Sequence, residues 1–283
     1  MLDYKNVRVP WQGAPYPPYH QGMYMEEYFF DYYIKNKKVF DDTGYTLLPI
    51  FWTTAYLYQL DVVSYIKALP KHLKYFCIAQ HDDGVKEMLP EETIVFSAGG
   101  NSGGIPIPLV CSPIDTHTLN YNRRDILCSF IGSNTHEVRK IMTQSLKDDQ
   151  LFYIQNGEWS WNLDDVKQDV FLNVTSRSKF TLCPRGYGAQ SFRFYEALQL
   201  GSVPIYVYDD NKWLPYSNIL NWNEFSILIH INDIFSLKEI LLSISDKQLN
   251  LMRQKGNEVY QNYFALPNLP RLVLEYLKNN AKY

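Results

Sequence analysis

Cysteine is scarce in this sequence, and its thiols are not arranged as a metal site. The 283 residues include four cysteines, at positions 77, 111, 128 and 183, and no two of them form a Cys-x-x-Cys pair. Structural zinc sites combine cysteine and histidine ligands at short, characteristic spacings. We therefore expect all four cysteines to be reduced, and we expect no zinc-binding cluster.

Long hydrophobic runs are absent as well. No stretch reaches the ~20 apolar residues that a membrane-spanning helix needs. The first residues, MLDYKNVRVPWQG, contain no apolar segment of the kind found in a secretory signal peptide. These absences favour a soluble, cytoplasmic protein without a signal peptide or transmembrane anchor.

An excess of charge of one sign is also missing. Lys and Arg number 27 against 30 Asp and Glu, which gives a formal net charge of −3. Such a balance provides no broad basic surface for nucleic acid or anionic lipid, so we expect neither as a partner. With 46% hydrophobic and only 20% charged residues, the composition is typical of a folded chain rather than a disordered one.

Short apolar runs recur along the chain in the manner of buried parallel strands. They occur at 73–79, 93–98, 126–131, 179–183 and 203–208, between segments with helical periodicity. This alternation predicts an α/β fold built on parallel sheets. Ligands of such open sheets bind at the carboxyl ends of the strands, so functional residues are expected there.

A polar, turn-rich stretch at 112–122 divides the pattern into two halves. We therefore predict a Rossmann-like domain over 1–117, a second Rossmann-like domain over 118–264, and a C-terminal helix within 265–283. In the first half, the further local predictions are a helix over 19–35, a strand over 46–51, one helix near 54–69 and an edge strand over 105–110. In the second half, they are a turn at 132–134 and helices over 135–147 and 163–177, the last capped by Asn162.

The loop at 184–188, with sequence PRGYG, carries the clearest signal of function. It links a predicted strand to a predicted helix that begins at Ser191. Two glycines allow the backbone to approach a ligand closely, and the N-terminus of a helix offers N–H groups to an anion. The segment lacks the Gly-Lys-Ser/Thr of a P-loop and the GxGxxG of a dinucleotide site.

Three charged residues near this loop suit a nucleotide diphosphate. Arg185 and Arg193 carry guanidinium groups that match phosphate oxygens. Glu196 lies three residues after Arg193, on the same face of the predicted helix, and can accept hydrogen bonds from a ribose diol. The alternative interpretation is an ordinary Arg–Glu surface pair beside a turn.

Three segments follow one another here: SKFTLCPRG at 178–186, SFRFYEALQLGSVPIYVYDD at 191–210 and LPYSNILNW at 214–222. Their order and spacing resemble the C-terminal signature of the exostosin glycosyltransferase family. Weaker similarities extend the resemblance over about 19–264: YHQGMYMEEYFF, LLPIFW, HDDG at 81–84, IPIP at 105–108 and RRDILCSFIGSNTHEVR at 123–139.

The resemblance implies a GT-B fold, with two Rossmann-like domains facing a central cleft and a C-terminal helix that crosses back to the first domain. It implies that the first domain binds the acceptor, that the second binds a UDP-sugar, and that transfer inverts the anomeric carbon. It also implies that no metal and no cofactor beyond the UDP-sugar substrate is needed. The chain is similar to short, anchor-free members encoded by microbes and large algal viruses.

The resemblance also implies roles for individual residues. Arg185, Arg193 and the helix N-terminus at Ser191 would stabilise the departing diphosphate, and Glu196 would hold the ribose. Arg139 matches an arginine of the family and would join them, the alternative being a solvated helix residue. The other donor-site candidates lie in loops that follow strands: Gly132, Ser133, Gly186, Asp209, and Tyr187, which could pack on the uracil.

The base for the acceptor hydroxyl is expected in the first domain. His81, Asp82 and Asp83 follow a predicted buried strand, where catalytic groups collect. Asp82 or Asp83 could be the base and His81 could orient it, although Asp-Asp-Gly is also a common turn. Glu26 and Glu27 are the alternative bases. The remaining histidines have no metal spacing and are expected to be incidental: His20, His72, His117, His136 and His230.

The sequence thus predicts an inverting glycosyltransferase that uses a UDP-sugar and an oligosaccharide or glycoprotein acceptor. UDP-xylose is the favoured donor, by similarity to short algal and plant-like members and not by any residue. The alternative is an inactive exostosin-like protein that binds carbohydrate or serves as a scaffold. A nicotinamide-dependent oxidoreductase is disfavoured because no GxGxxG follows the first strand.

Overall fold

The computed structural model describes residues 25–109, 113–115, 123–159 and 165–280. They form two compact units. Unit 1 takes the described residues of Met1–Val110 and Leu266–Tyr283, and unit 2 takes those of Cys111–Ala265. Each unit is built on a parallel sheet, so the α/β class expected from the sequence is confirmed.

Unit 1 contains a four-stranded parallel sheet with the strand order β1-β2-β3-β4. The strands are β1 (Tyr45–Leu47), β2 (Lys74–Ala79), β3 (Ile94–Ser97) and β4 (Ile105–Pro106). All but the first residue of β2 are buried, as its apolar run predicts. The short strand β4 pairs with β3 at the edge of the sheet, where its proline is tolerated.

Four helices of unit 1 precede or separate these strands: α1 (Met25–Lys35), α2 (Lys37–Asp41), α3 (Trp52–Leu57) and α4 (Val62–Lys67). Much of the aromatic content of the chain lies in the core between α1, α2 and the sheet. Phe29 of α1 meets Phe40 and Phe76 edge-on, with ring centres 5.8 and 5.9 Å apart. Phe40 and Phe76 stack at 5.9 Å.

Three local predictions for unit 1 differ from the structure. The edge strand expected over 105–110 ends at Pro106. The strand expected over 46–51 ends at Leu47, close to Pro49, which has no N–H to donate to a neighbouring strand. The single helix expected near 54–69 is two helices. Gln59 adopts the left-handed conformation, with φ of 51°, and the side chain of Asp61 then caps α4.

Unit 2 contains a five-stranded parallel sheet with the strand order β6-β5-β7-β8-β9. The strands are β5 (Ile126–Ser133), β6 (Phe152–Gly157), β7 (Ser178–Pro184), β8 (Val203–Tyr208) and β9 (Ile227–His230). Strand β6 was not predicted from the sequence. The turn expected at 132–134 is wrong for its first two residues, because Gly132 and Ser133 complete β5 and pair with β6.

The helices of unit 2 are α5 (Glu137–Leu146), α6 (Asp165–Arg177), α7 (Phe192–Gln199), α8 (Leu237–Ser243) and α9 (Asp246–Val259). Their apolar faces form a core with the sheet, to which α5, α8 and α9 contribute Met142, Leu241 and Leu249. The predicted cap of α6, Asn162, lies outside the described residues. Short 3₁₀ or π turns occur at Trp222–Glu224, Ile231–Ser236, Tyr260–Phe264 and Leu266–Asn268.

Helix α10 (Leu269–Asn280) follows unit 2 along the chain but belongs to unit 1. Its apolar face is buried through Leu272, Val273 and Leu277. The ring of Tyr276 meets Phe96 of β3 edge-on at 5.4 Å. Unit 1 is therefore built from two segments that are distant in the sequence.

Three of the four cysteines lie in the described parts of the chain. Cys77, Cys128 and Cys183 are free thiols and are fully buried, and burial raises the pKa of each well above its ordinary value. Cys111 lies outside the described residues. Within the same described parts, none of the helices is long and apolar enough to span a bilayer.

Candidate functional site

Unit 2 has a topological switch point between β5 and β7. Strand β5 is followed by β6 on one side, and the chain then returns to β7 on the other. Loops that leave adjacent strands in opposite directions open a crevice, and open parallel sheets bind ligands there. Residues predicted for donor binding lie at this end of the sheet, after or at the ends of β5, β7 and β8.

Arg185 and Asp209 form an ion pair at the ends of β7 and β8. Nη1 of Arg185 donates to both carboxylate oxygens of Asp209, at 3.0 and 2.9 Å. Nη2 donates to the carbonyl oxygen of Tyr187 at 3.2 Å. Burial opposes the charge of Asp209, but hydrogen bonds from the N–H of Asn211 and from Arg185 outweigh it and hold the carboxyl pKa below its ordinary value. Asp209 is therefore ionised at neutral pH.

His136 lies beside this ion pair, although it was expected to be incidental. Its Nε2 is 4.0 Å from Oδ2 of Asp209. Its Nδ1 accepts a hydrogen bond from the N–H of Val138 at 3.2 Å and so caps α5. Burial and then the charge of Arg185 lower the pKa of His136, while Asp209 acts in the opposite direction. The only sequence signal for it is its position between the end of a strand and a helix.

Arg139 is a buried clamp between the ends of β5 and β7. Its Nε donates to the carbonyl oxygen of Arg185 at 2.8 Å, and its Nη1 donates to that of Ser133 at 3.0 Å. Arg139 is only 6% exposed, so the alternative interpretation, a solvated helix residue, is wrong. A Cβ on Gly186 would lie 3.1 Å from Nη2 of Arg139, so the absence of a side chain there lets the loop pack closely against this arginine.

Arg193 extends from the first turn of α7 to the end of β5. Its Nε donates to the carbonyl oxygen of Ile131 at 2.6 Å, and its Cζ lies 5.2 Å from the ring centre of Phe130. A Cβ on Gly132 would lie 2.7 Å from this Cζ and closer still to Nη2. The glycine therefore provides the space in which the Arg193 guanidinium is held.

Ser191 lies at the crevice, immediately before α7. Its backbone is extended and its side chain caps no N–H of α7. The positive end of the helix dipole therefore lies beside the loop that follows β7. Glu196 lies one turn further along α7, where its charge and that of Arg193 both act on the thiol of Cys183. Tyr187, at the tip of the loop, is 56% exposed and presents its ring to solvent.

The other predicted set, His81, Asp82 and Asp83, lies in unit 1 after β2. Nδ1 of His81 accepts a hydrogen bond from the N–H of Asp83 at 3.2 Å, and the His81 ring meets Tyr56 edge-on at 4.8 Å. Asp83 accepts from Nζ of Lys86 at 3.0 Å, and this bond holds the pKa of Asp83 below its ordinary value. Asp82 is the exposed carboxylate of the set.

The glycine-rich loop after β3 packs on these residues. The N–H of Ser102 donates to the carbonyl oxygen of Asp83 at 2.9 Å, and that of Asn101 to Asp82 at 3.4 Å. A Cβ on Gly99 would overlap the backbone of His81 and Asp82. The two loops therefore hold each other in one arrangement at the carboxyl edge of the unit 1 sheet.

Glu26 and Glu27, the alternative bases, are both buried. Oε1 of Glu26 accepts hydrogen bonds from the N–H and hydroxyl of Thr53, at 3.3 and 2.9 Å, and from the N–H of Gln80 at 2.8 Å. Burial raises the pKa of Glu26. This carboxyl group therefore connects α1 to α3 and to the end of β2.

The described residues contain no group of three or more His, Cys, Asp or Glu side chains that could hold a metal ion. At the switch point, arginine side chains lie beside Asp209, Glu196 and His136. Their chemistry suits an anionic ligand with polar substituents.

Comparison with known protein families shows which family this chain belongs to. The family model of the exostosin GT47 domain matches residues 91–244, which is more than half of the chain. The chain belongs to the exostosin GT47 family. The matched region includes the whole switch-point crevice of unit 2, from the end of β5 to Asp209.

Relatives of this exostosin GT47 chain include a probable glycosyltransferase of Arabidopsis thaliana, 31% identical over 147 residues, a match covering 50% of this chain and 26% of the relative. An Exostosin-1 homolog of Caenorhabditis elegans is 30% identical over 162 residues, covering 50% of this chain and 41% of the relative. The chain therefore matches less than half of the length of these curated relatives.

Solved structures similar to this exostosin GT47 chain include TarM, with a TM-score of 0.38 and 12% identity over 78% of this chain and 57% of TarM. A glycosyltransferase from Rickettsia africae has a TM-score of 0.39 and 14% identity, covering 83% of this chain and 70% of that one.

Proposed function

We propose that this protein is an inverting glycosyltransferase that moves a sugar from a UDP-sugar to a hydroxyl group of a glycan acceptor. The observation that carries the proposal is the crevice at the β5–β7 switch point, where Arg185 follows β7, Arg193 extends to the end of β5 and α7 begins. Membership of the exostosin GT47 family supports glycosyl transfer as the chemistry.

The diphosphate is the leaving group, and its negative charge grows as the bond to the sugar breaks. Arg185, Arg193 and the positive end of the α7 dipole stabilise that charge. Arg139 keeps the loop after β7 in place through its bonds to Ser133 and Arg185. Cationic groups fixed in this way supply the charge that a metal ion supplies in other transferases, so we propose that no metal or other cofactor is required.

The rest of the donor is held by neighbouring residues. Glu196 accepts hydrogen bonds from the ribose hydroxyls, and the exposed ring of Tyr187 packs on the uracil. Asp209, held by Arg185, accepts hydrogen bonds from hydroxyls of the donor sugar. UDP-xylose is the donor we favour, and the acceptor is an oligosaccharide or a glycoprotein.

Asp82 is the base that we propose for the acceptor. It takes the proton of the acceptor hydroxyl while the oxygen attacks the anomeric carbon from the side opposite the diphosphate. The bond between the anomeric carbon and the diphosphate oxygen breaks, its electron pair stays with UDP, and the configuration inverts. His81 accepts at Nδ1 from Asp83, so its neutral ring carries the proton on Nε2 and can donate to the acceptor.

A thermal-shift panel with UDP, GDP and several UDP-sugars tests the donor site in the wild-type protein and in Arg185→Ala. A ligand at about 100 times its Kd adds about 2.7 kcal/mol of stability. We expect this gain with uridine compounds, its loss in Arg185→Ala, and its retention in Arg177→Ala. Arg177 is the matched control because it forms an exposed ion pair with Asp125 in the same unit.

Release of UDP in the presence of candidate acceptors tests the chemistry. We expect wild-type protein to release UDP from a UDP-sugar, and Asp82→Asn to bind UDP normally but release it at least about a hundredfold more slowly. Binding of UDP without release by the wild type, for every donor and acceptor, would favour the inactive scaffold. Absence of any nucleotide response would remove the site assignment itself.

A further inference from the structure

A second pocket lies at the opposite end of the unit 2 sheet, where β7 and β8 begin. Its volume is about 470 Å³, within the range of pockets that bind small molecules. The residues that define its chemistry come from the segment before β5, the end of α7 and one face of α9: Arg124, Gly201, Asn250, Arg253, Gln254 and Asn257. None of the residues that line it is acidic.

Two arginines converge in this pocket on Gly201. Nη1 of Arg124 donates to the carbonyl oxygen of Ser178 and Nη2 to that of Leu200, both at 2.8 Å. Nε of Arg253 donates to the carbonyl oxygen of Gly201 at 2.7 Å. These bonds fix both guanidinium groups, so a ligand would not have to order them.

The two guanidinium groups both lie beside Gly201. A Cβ on Gly201 would lie 2.9 Å from Nη2 of Arg124 and 3.6 Å from Nη2 of Arg253. The glycine, with φ of 66°, leaves this point open. Two like charges in one pocket repel each other, and burial lowers the pKa of Arg253. An anion bound in the pocket beside both guanidinium groups would offset both costs.

Capping of α7 accounts for only part of the arrangement. The carbonyl oxygens of Leu200 and Gly201 at the end of α7 are satisfied by one donor from each arginine. Arg253 also donates from Nη1 to Oδ1 of Asn250 at 3.3 Å, whereas its Nη2 has no acceptor among the described residues. That N–H group is available to a ligand.

Amide side chains border the two cations. Asn250, Arg253, Gln254 and Asn257 are spaced i, i+3, i+4 and i+7, so they share one face of α9. Amides donate and accept hydrogen bonds equally well, as recognition of hydroxyl groups requires. The pocket thus combines a cationic centre with a neutral, hydrogen-bonding border.

We propose that this pocket is a second ligand site, which binds a compact oxyanion carried on a hydroxylated small molecule. The guanidinium groups of Arg124 and Arg253 bind a phosphate, sulfate or carboxylate group, and the α9 amides contact hydroxyls of its carrier. This site is independent of the proposed donor site, which lies at the other end of the same strands.

The test is thermal stabilisation at constant ionic strength, with and without UDP. The probes are inorganic phosphate, sulfate, glucose 6-phosphate, glucuronate and, as the neutral control, glucose. We expect saturable stabilisation by the oxyanions and none by glucose. A comparison of the affinities for phosphate and glucuronate shows whether the site prefers a phosphate or a carboxylate group. Tighter binding of glucose 6-phosphate than of phosphate would show that the amides contact the hydroxyl groups of the carrier.

Variants locate the binding. Arg253→Gln removes the charge but keeps a donor for Gly201. We expect it to weaken oxyanion binding at least about tenfold, because a charge-assisted hydrogen bond is lost. Lys255→Gln is the matched control, because Lys255 is on the same helix and pairs with Glu258. It should change the affinity less than about twofold.

A second variant keeps the proposal testable if Arg253→Gln does not fold. Asn257→Asp adds a negative charge at the border without touching any of the carbonyl bonds, and should weaken oxyanion binding. The proposal fails if stabilisation by oxyanions does not saturate, or if Arg253→Gln and Asn257→Asp bind them like the wild type. Arg185→Ala should keep the oxyanion response, so failure of the donor site and failure of this site give different results.

Discussion

Arg139, Arg185 and Arg193 are each held by bonds to the protein itself. Arg139 and Arg193 donate to backbone carbonyl groups, and Arg185 donates to Asp209. Fixing a free arginine side chain costs up to about 2 kcal/mol of rotamer entropy. Because these bonds fix the three side chains before a ligand arrives, the crevice presents its positive charge in a preorganised form.

Because His136 lies beside the Arg185–Asp209 pair, its protonation should make nucleotide binding depend on pH. Its pKa lies below 6.5 in the free protein, and a diphosphate beside the Arg185–Asp209 pair would raise it. Protonated His136 therefore strengthens binding of the diphosphate. This gain in affinity is complete below the pKa of His136 in the free protein and is lost as the pH rises through its pKa in the complex. Each pKa unit of increase strengthens binding by up to about tenfold. We expect UDP-glucose, which has no phosphate group titrating in this range, to bind more tightly at about pH 5.5 than at about pH 8.

The control for this pH effect is His136→Asn, because asparagine can still cap α5. The other charged groups around His136 are Arg139, Arg185, Asp209 and Glu137, and all of them remain in the variant. Calorimetric titration of both proteins over the pH range provides the measurement. An identical pH dependence in the two proteins would place His136 outside the site.

Glu26 gives a second residue-scale prediction. Its folded pKa is above the ordinary value of 4.5, so its contribution to stability is complete below that value and falls as the pH rises through the folded pKa. We expect the transition temperature of unit 1 to decrease as the pH rises above 4.5. Glu26→Gln should remove that decrease, since its amide oxygen can accept the same bonds. Glu91→Gln, at an exposed residue of unit 1, should leave the decrease unchanged.

At the scale of elements, the end of β5 and the start of α7 depend on one glycine. Gly132→Ala puts a methyl group where the Arg193 guanidinium lies, so the arginine has to move. We expect the Kd for UDP to rise at least about tenfold, because one charge-assisted contact contributes about 1.5–3 kcal/mol. Gly157→Ala, at the end of the neighbouring strand β6, meets no atom within 4 Å and should bind UDP normally. Equal affinities in the two variants would remove Arg193 from the donor site.

Elements with a strong local signal could be predicted from the sequence. Strands β7 and β8 are runs buried almost throughout, and their apolar composition indicates this directly. Strand β6 is at the sheet edge, and four of its six residues, at 153 and 155–157, are exposed, so its sequence has little strand signal. The break between α3 and α4 contains neither glycine nor proline, and Gln59 adopts the left-handed conformation there. The sequence therefore gives no signal for this break.

The same distinction holds at the candidate site. Arg185, Arg193 and Glu196 belong to one continuous segment, and their spacing around a glycine loop indicates an anion site. His136 could not be found in this way, because its closeness to Asp209 depends on the strand order of the sheet rather than on the sequence between them. Nor could the hydrogen bonds of Arg139 to carbonyl groups be predicted from sequence periodicity.

At the scale of the whole molecule, unit 1 depends on a helix that follows unit 2. A chain that stops after Ala265 lacks α10 and exposes Phe96, which now packs on Tyr276. We expect the thermal transition of unit 1 to be lost or strongly lowered, while UDP still stabilises unit 2. Calorimetry with and without UDP measures both. Loss of the UDP response in the truncated chain would mean that the donor site requires α10.

The position of α10 in the chain also affects the order of events at the ribosome. Synthesis delivers the strands of unit 1 first, but the helix that covers Phe96 emerges only after all of unit 2 has been made. Unit 2 can therefore fold while the nascent first unit still exposes apolar rings. Such surfaces are aggregation-prone and are recognised by chaperones, so the earlier half of this chain is the later one to mature.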